Sequence, residues 1–221
     1  MNFNIASKEN YNLIVQVGMI INFLKLPLFV AFLTTGSILK ADPYSLANIS
    51  QYLQNLKILK ADFSQNNPDE TMSSGTILIK RPGRMRFEYY KPDKTLVLVS
   101  AGALAIFDPK GDEEPITYPI KNNPISLILK GEVDLLNSGI VEDYKVSIDE
   151  AFLTIRDPKK PERGSVELVF AGVKPELEEF TIKNQNGSFT SIYLKDVEYP
   201  QTISETLFSI SLETDKRTKF K

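Results

Sequence analysis

The residues best suited to acid–base chemistry are three groups of neighbouring carboxylates. They are Asp112-Glu113-Glu114, Asp149-Glu150, and Glu176 with Glu178-Glu179. General acid–base catalysis by carboxylates needs two such groups held at a defined separation around a reacting bond. Each group here lies beside turn residues, where charged side chains are ordinarily solvated. We therefore predict no catalytic residue and no enzyme activity, with a carboxylate-dependent hydrolase as an alternative.

Histidine and cysteine are both absent from the 221 residues. Their absence removes imidazole bases, thiolate nucleophiles and almost every zinc, haem or iron–sulfur ligand set. The 26 Lys and Arg residues are balanced by 28 Asp and Glu, so the formal net charge is −2 and no general positive field attracts a nucleic acid. The sequence predicts no metal site, no cofactor and no nucleic-acid partner.

The first 41 residues have the organisation of a secretory signal peptide. An uncharged apolar stretch at residues 26–39 follows Lys25 and precedes small residues. It is shorter than the roughly 20 residues that cross a bilayer, although a retained anchoring helix with Lys25 in its middle is an alternative. Met19 offers a more compact signal and a possible true start. Removal of residues 1–41 leaves one domain, residues 42–221, with a net charge of −4.

Two helical segments and about ten strands are predicted to position any site. Asp42-Pro43 begins a helix over residues 44–60, and Asn123-Pro124 repeats this start signal for a segment over residues 124–136. The apolar residues at helical spacing are Leu46, Ile49, Leu53, Leu56 and Leu59 in the first segment, and Ile125, Leu127, Ile128, Leu129, Val133 and Leu136 in the second. Short β-rich runs between Pro and Gly turns, the last at residues 207–212, indicate one antiparallel sheet whose concave side the helices cover.

Alternation along two strands marks the face of the sheet that would hold a site. Met85, Phe87 and Tyr89 fall on one face of the first strand. Val166, Leu168 and Phe170 do so in the second. These side chains are either ordinary core residues or the lining of an apolar cavity. A strongly curved sheet with no Trp and only 4 Met is hard to fill completely, which favours a cavity suited to acyl chains.

The sequence of residues 79–89, Ile-Lys-Arg-Pro-Gly-Arg-Met-Arg-Phe-Glu-Tyr, resembles the central signature of LolA, the outer-membrane lipoprotein carrier protein family. The similarity extends over roughly residues 44–212. It also includes Pro92, Leu98-Val99-Ser100, Gly102, Phe107-Asp108-Pro109, an opening helix ending in Ala61-Asp62-Phe63-Ser64-Gln65, and residues 123–129.

The resemblance implies a mainly β (α+β) fold: a single curved antiparallel sheet that forms an open, incomplete β-barrel with a helical lid over its concave apolar face. It implies a periplasmic, monomeric, non-enzymatic chaperone without a cofactor. Such a carrier takes acylated lipoproteins as cargo from an inner-membrane lipoprotein-releasing ABC transporter to an outer-membrane acceptor. A periplasmic sensor or regulator that binds lipids or lipoproteins with the same half-barrel is the alternative.

The resemblance also assigns roles to individual residues. The acyl-chain cavity is expected to involve Met85, Phe87, Tyr89, Val166, Leu168 and Phe170. The lid helices are expected to present Leu46, Ile49, Leu53, Leu56, Ile125, Leu127 and Ile128. Arg81 aligns with an arginine that latches the lid by donating to backbone carbonyls, a role that suits its five donors. Phe87 stands where the family usually has Trp, and Ala101-Gly102 where an Asp-Gly turn is common.

Overall fold

The structure is a computed structural model that describes residues 42–110 and 114–219. The predicted signal peptide, the possible start at Met19, and Asp112 and Glu113 of the first carboxylate group lie outside the described residues. None of the helices within the two described ranges is long and apolar enough to span a membrane.

Within these ranges, eleven strands form one open antiparallel sheet. The strands are β1 (Ile58–Asn66), β2 (Met72–Lys80), β3 (Arg84–Tyr89), β4 (Leu96–Ser100), β5 (Ala103–Phe107), β6 (Ile116–Pro119), β7 (Val141–Val146), β8 (Glu150–Arg156), β9 (Ser165–Ala171), β10 (Glu176–Lys183) and β11 (Phe189–Glu198). Their spatial order is β6-β5-β4-β3-β2-β1-β11-β10-β9-β8-β7. Two meanders therefore meet where β1 pairs with β11, and β6 and β7 remain as the two edges. This confirms the predicted open, incomplete barrel.

Helix α1 (Leu46–Asn55) packs on the concave face of the sheet. The Ser45 hydroxyl caps it by accepting from the backbone N–H of Asn48 at 3.3 Å. The helix is shorter than the predicted 44–60, because Leu59 belongs to β1. In this strand Leu59, Ala61 and Phe63 are buried on one face, and the residues between them are exposed. The same correction applies to residues 61–65, which lie in β1 and not at the end of a helix.

The second cover of the concave face is the lid segment, residues 120–140, between β6 and β7. It contains 3₁₀ turns at Ile120–Asn122 and Pro124–Leu127, not the α-helix predicted over 124–136. The Asn123 side chain does cap the second turn, accepting from the backbone N–H of Ile125 at 3.0 Å. Further along, the Asp134 carboxylate accepts from the backbone N–H groups of Leu136 and Asn137, which closes a turn and leaves Leu136 57% exposed.

The convex face of β3–β5 is covered by the C-terminal strap, residues 204–219. The predicted strand at 207–212 is wrong: the strap is a 3₁₀ turn at Glu205–Phe208 followed by helix α2 (Ile210–Lys219). Its apolar residues, among them Ile210, pack on a second small core. That core consists of Leu96, Leu98, Ala105 and Phe107. The Arg217 guanidinium lies 4.9 Å from the centre of the Phe107 ring.

Ion pairs attach the strap to the basic residues that surround the β2–β3 turn. Glu205 pairs with Lys80 and, at 2.8 Å, with Arg84. Glu213 lies 3.7 Å from Arg86. Lys80, Arg84 and Arg86 therefore each face a carboxylate of the strap.

Candidate functional site

An apolar cavity of about 790 Å³ lies between the concave face of the sheet and the first part of the lid segment. Its walls come from β1, β3, β4, β5, β6, β10 and β11, and its rim from the residues after β6 and from the β10–β11 turn. The lining residues are Gln65, Met85, Phe87, Tyr89, Val97, Val99, Leu104, Ile106, Tyr118, Pro119, Asn122, Asn123, Ile125, Ile182, Asn184, Asn186, Thr190 and Ile192. Of the predicted site residues, Met85, Phe87, Tyr89 and Ile125 lie here.

The register of three neighbouring strands builds the main wall from two apolar rows. In the first row, Met85 of β3 stands opposite Val99 of β4, which stands opposite Leu104 of β5. In the second row, Phe87, Val97 and Ile106 are aligned in the same way. The four residues contributed by β4 and β5 were missed by the sequence analysis. Their alternation within the two strands was a usable signal, since it places them on one face once the pairing with β3 is known.

An aromatic cluster supports this wall from the side of β1. The Phe63 ring lies edge-on to Phe87 and to Tyr89, with both centroid distances at 5.2 Å. The Tyr89 hydroxyl donates to the Gln65 side-chain oxygen at 2.7 Å. Burial raises the pKa of Tyr89 to about 12, so the hydroxyl remains a protonated donor at neutral pH. Gln65 and Phe63 were not predicted as site residues.

Val166, Leu168 and Phe170 lie on the concave face of β9, but they do not line the cavity. All three are fully buried beneath α1 and the lid segment. The Tyr52 ring of α1 meets Phe170 edge-on at a centroid distance of 5.6 Å. The residues predicted for the cavity are thus divided between an empty half and a packed half of the concave face.

The predicted lid residues cover the packed half. Ile49, Leu53 and Leu56 of α1 are buried, whereas Leu46 is only partly buried against the same core. Ile125, Leu127 and Ile128 of the lid segment are also buried in that core. The Ser50 hydroxyl joins the two elements by accepting from the backbone N–H of Leu135 at 3.4 Å.

Arg81, at the end of β2, connects α1 to the lid segment. Its Nε donates to the Lys130 carbonyl at 2.6 Å, and Nη2 donates to the Gly131 carbonyl at 3.4 Å. On the other side, Nη1 donates to the carbonyls of Leu53 and Leu56, the latter at 3.2 Å. The side chain is buried, with only 5% of the residue exposed. One guanidinium therefore binds four carbonyls from two separate chain segments.

The positive charge of Arg81 is balanced by the dipoles of backbone carbonyl groups. Among the described residues no carboxylate lies within ion-pair distance of it, and burial lowers the pKa of the guanidinium from its ordinary value. The carbonyls of Leu53 and Leu56 belong to the C-terminal end of α1, where the helix dipole is negative and favours a cation. Arg81 therefore bridges α1 and the lid segment through carbonyl acceptors alone.

The carboxylates singled out in the sequence that lie within residues 42–110 and 114–219 include Glu179 and Asp149, at separate positions in the fold. Glu179 is half-buried on β10 and accepts from the Thr181 hydroxyl at 3.1 Å, and its pKa is raised by burial. Asp149 lies in the β7–β8 turn, where its backbone carbonyl accepts from the Tyr44 hydroxyl. In the part of the chain that the structure describes, no group of three or more Asp and Glu side chains is arranged to hold a metal ion.

Comparison with known proteins agrees with the sequence signature. The family model for the outer membrane lipoprotein carrier protein LolA matches residues 54–211. The outer-membrane lipoprotein carrier protein of Methylococcus capsulatus is 26% identical over 183 residues, covering 78% of this chain and 86% of that protein. The protein of the same name from Dechloromonas aromatica is 28% identical over 173 residues, covering 74% and 81%.

Solved structures include a LolA superfamily protein from Nitrosomonas europaea. It has 11% sequence identity and a TM-score of 0.40, with 74% of this chain and 96% of that chain covered. The family model spans well over half of the sequence, and the carrier proteins from two organisms align over most of it. The chain therefore belongs to the LolA family, the family of outer membrane lipoprotein carrier proteins.

Proposed function

We propose that this protein is a periplasmic lipoprotein carrier. It takes acylated lipoproteins from an inner-membrane ABC transporter, shields their acyl chains, and delivers them to an outer-membrane acceptor without any enzymatic step. The observation that carries the proposal is an apolar cavity beside a lid that a single buried arginine holds down. Exposure of each acyl CH₂ to water costs about 0.8 kcal/mol, so a lipoprotein needs such a shield to cross an aqueous space.

The volume of the cavity suits part of this cargo in the closed state. Sites for small ligands occupy about 300–1,000 Å³, and the cavity of about 790 Å³ falls within that range. Lifting the lid segment would add the apolar surface of Val166, Leu168 and Phe170, which α1 and the lid now cover. We infer that loading of a second or third acyl chain uses this packed half of the concave face.

Arg81 is the latch in this mechanism. In the empty protein, its four hydrogen bonds to carbonyls stabilise the closed lid, and a bound cargo must break some of them. Cargo binding and latch closure therefore compete, so the net affinity is lower than the burial of the acyl chains alone would give. Closure of the latch then favours release when an acceptor offers the chains another apolar site.

A single-tryptophan reporter tests the binding step, because the chain contains no Trp. Phe87→Trp places the indole in the cavity wall, and Tyr193→Trp is the matched control on the exposed convex face. A diacylated lipopeptide should shift the emission of the Phe87→Trp protein to shorter wavelength and leave the control unchanged. Equal responses, or none, would refute binding in the cavity.

The transport step needs a test in cells. Protein recovered from the periplasmic fraction should carry intact acylated lipoproteins, identified by mass spectrometry. Incubation with outer-membrane vesicles that contain the acceptor should transfer this cargo. Recovery of free phospholipid alone, or retention of cargo together with a signalling partner, would favour the sensor and contradict the carrier.

A further inference from the structure

A polar depression of about 610 Å³ adjoins the mouth of the apolar cavity. We call it the polar ledge. Its residues are Asn122, Lys160, Glu162, Arg163, Asn184, Gln185 and Asn186. Asn122, Asn184 and Asn186 line both the ledge and the cavity, so the two spaces form one continuous surface. A molecule that extends from the cavity past these three residues lies on the ledge.

Three loops at one end of the sheet build the ledge, and their packing fixes its shape. Gly164, at the end of the β8–β9 loop, has a φ of +93° and no room for a side chain against the Lys183 carbonyl of β10. The β10–β11 hairpin is closed by the backbone N–H of Asn184, which donates to the Ser188 carbonyl at 2.8 Å. The part of the ledge that these two loops contribute is therefore fixed by the backbone.

The charges on the ledge largely cancel. Lys160 and Arg163 are accompanied by Glu162, and the Arg163 guanidinium lies 3.9 Å from the Asp157 carboxylate. With two cations and two anions in this group, the ledge has little net attraction for an anionic group. Its recognition must come from the uncharged side chains.

The uncharged side chains are carboxamides. Asn122 and Gln185 are exposed, and neither side chain has a hydrogen-bond partner among the described residues. A carboxamide carries both an acceptor oxygen and an NH₂ donor. This combination matches the alternating C=O and N–H groups of an extended peptide, and it would also accept the ester and amide groups that join acyl chains to a protein.

We propose that the polar ledge binds the polypeptide segment that directly follows the acylated residue of the cargo. The inference rests on the carrier function proposed above and adds a second recognition element to it. The acyl chains occupy the cavity, and the first peptide groups outside it receive hydrogen bonds from Asn122 and Gln185. The ledge thus distinguishes an acylated protein from a simple lipid with the same chains.

Binding of two ligands that share their acyl chains tests this assignment. The first is a peptide of five residues that begins with S-(dipalmitoylglyceryl)cysteine, and the second is dipalmitoylglycerol, which has no peptide. Each is titrated against a bound fluorescent fatty acid. The test variant is Gln185→Ala, which alters the ledge at a residue that does not line the cavity, and the matched control is Gln201→Ala, which removes the same residue type from a separate depression.

The test variant should bind the lipopeptide about fivefold more weakly than wild type, as expected for one neutral hydrogen bond, and should bind dipalmitoylglycerol equally well. The control should match wild type with both ligands. Unchanged lipopeptide binding, or equal weakening with both ligands, would overturn the assignment. The assignment would also be overturned if Lys160→Gln selectively lost affinity for the lipopeptide and wild type bound dipalmitoyl phosphatidate more tightly than dipalmitoylglycerol. The ledge would then recognise an anion. If wild type binds neither ligand, the carrier function itself fails and the ledge assignment with it.

Discussion

Replacement of the buried arginine tests whether the lid is held by hydrogen bonds to Arg81. Arg81→Leu removes the donors to both lid carbonyls, of which the bond to Lys130 at 2.6 Å is short and the bond to Gly131 at 3.4 Å is weak. Counting only the short bond, a net contribution of about 1.5–3 kcal/mol is lost for a charged donor. At about 1.4 kcal/mol per tenfold, the closed lid becomes roughly 10- to 100-fold less favoured relative to the open one.

Hydrogen exchange of backbone amides measures this change directly. Protection of the amides in the lid segment, including that of Leu135, should fall by the same factor, while the amides of β9 keep theirs. The affinity for a diacylated lipopeptide should rise by up to the same factor, because less free energy is needed to open the lid. Cargo held more tightly should then pass to the acceptor more slowly.

Arg84→Leu is the control for this experiment, since Arg84 pairs with Glu205 of the strap and, among the described residues, makes no hydrogen bond to the lid segment. It should leave lid exchange and lipopeptide affinity unchanged. If Arg81→Leu exchanges its lid amides at the wild-type rate, or if both variants change equally, Arg81 is not a latch.

Three further predictions concern stability. Tyr44→Phe removes the hydroxyl that donates to carbonyls in two neighbouring hairpin turns and should lower the free energy of unfolding in urea by about 1–3 kcal/mol. Gly75→Ala should cost about 1–3 kcal/mol in the same measurement, because the new methyl would overlap the Glu88 carbonyl. Hydrogen bonds from the Asn137 side chain and backbone lower the pKa of Asp134, so the stability that this carboxylate gives the lid segment is present above its ordinary pKa and is lost as the pH falls through the lowered pKa. Exchange of the lid amides should accelerate over this pH range in wild type and not in Asp134→Asn.

The sequence was sufficient to predict one open antiparallel sheet, although residues 58–65 of β1 were assigned to a helix. The wrong predictions occur where the same apolar residues fit both the helical and the strand periodicity. Leu53, Leu56 and Leu59 recur at helical spacing, yet Leu59 also lies two residues before Ala61, which is the spacing of one face of a strand, and it belongs to β1. Likewise, the alternation at 207–212 resembles a strand, but the strap turns into a helix there, so its apolar residues cover the convex face. Tertiary packing decided between the two periods in both places.

The site was predicted in part, for a related reason. Alternation assigns Phe87 and Phe170 to the concave face equally well, because each belongs to the apolar row of its own strand. Which of the two remains open depends on how the lid segment folds over the sheet, and that segment has turns where a helix was expected. The pairing of β4 and β5 with β3, which adds Val97 and Ile106 to the wall, requires the register between strands.

The position of the strap has a mechanical consequence. Leu98 of β4 belongs to the small core beneath the strap, and Val99 of the same strand lines the cavity, so β4 is packed on one face and forms the cavity wall with the other. The opposite boundary of the cavity is the lid segment, which is joined to the sheet by buried apolar side chains and by the hydrogen bonds of Arg81. In the proposed carrier, a wall that is packed on its outer face keeps its shape, so adaptation to cargoes of different size has to come from displacement of the lid segment.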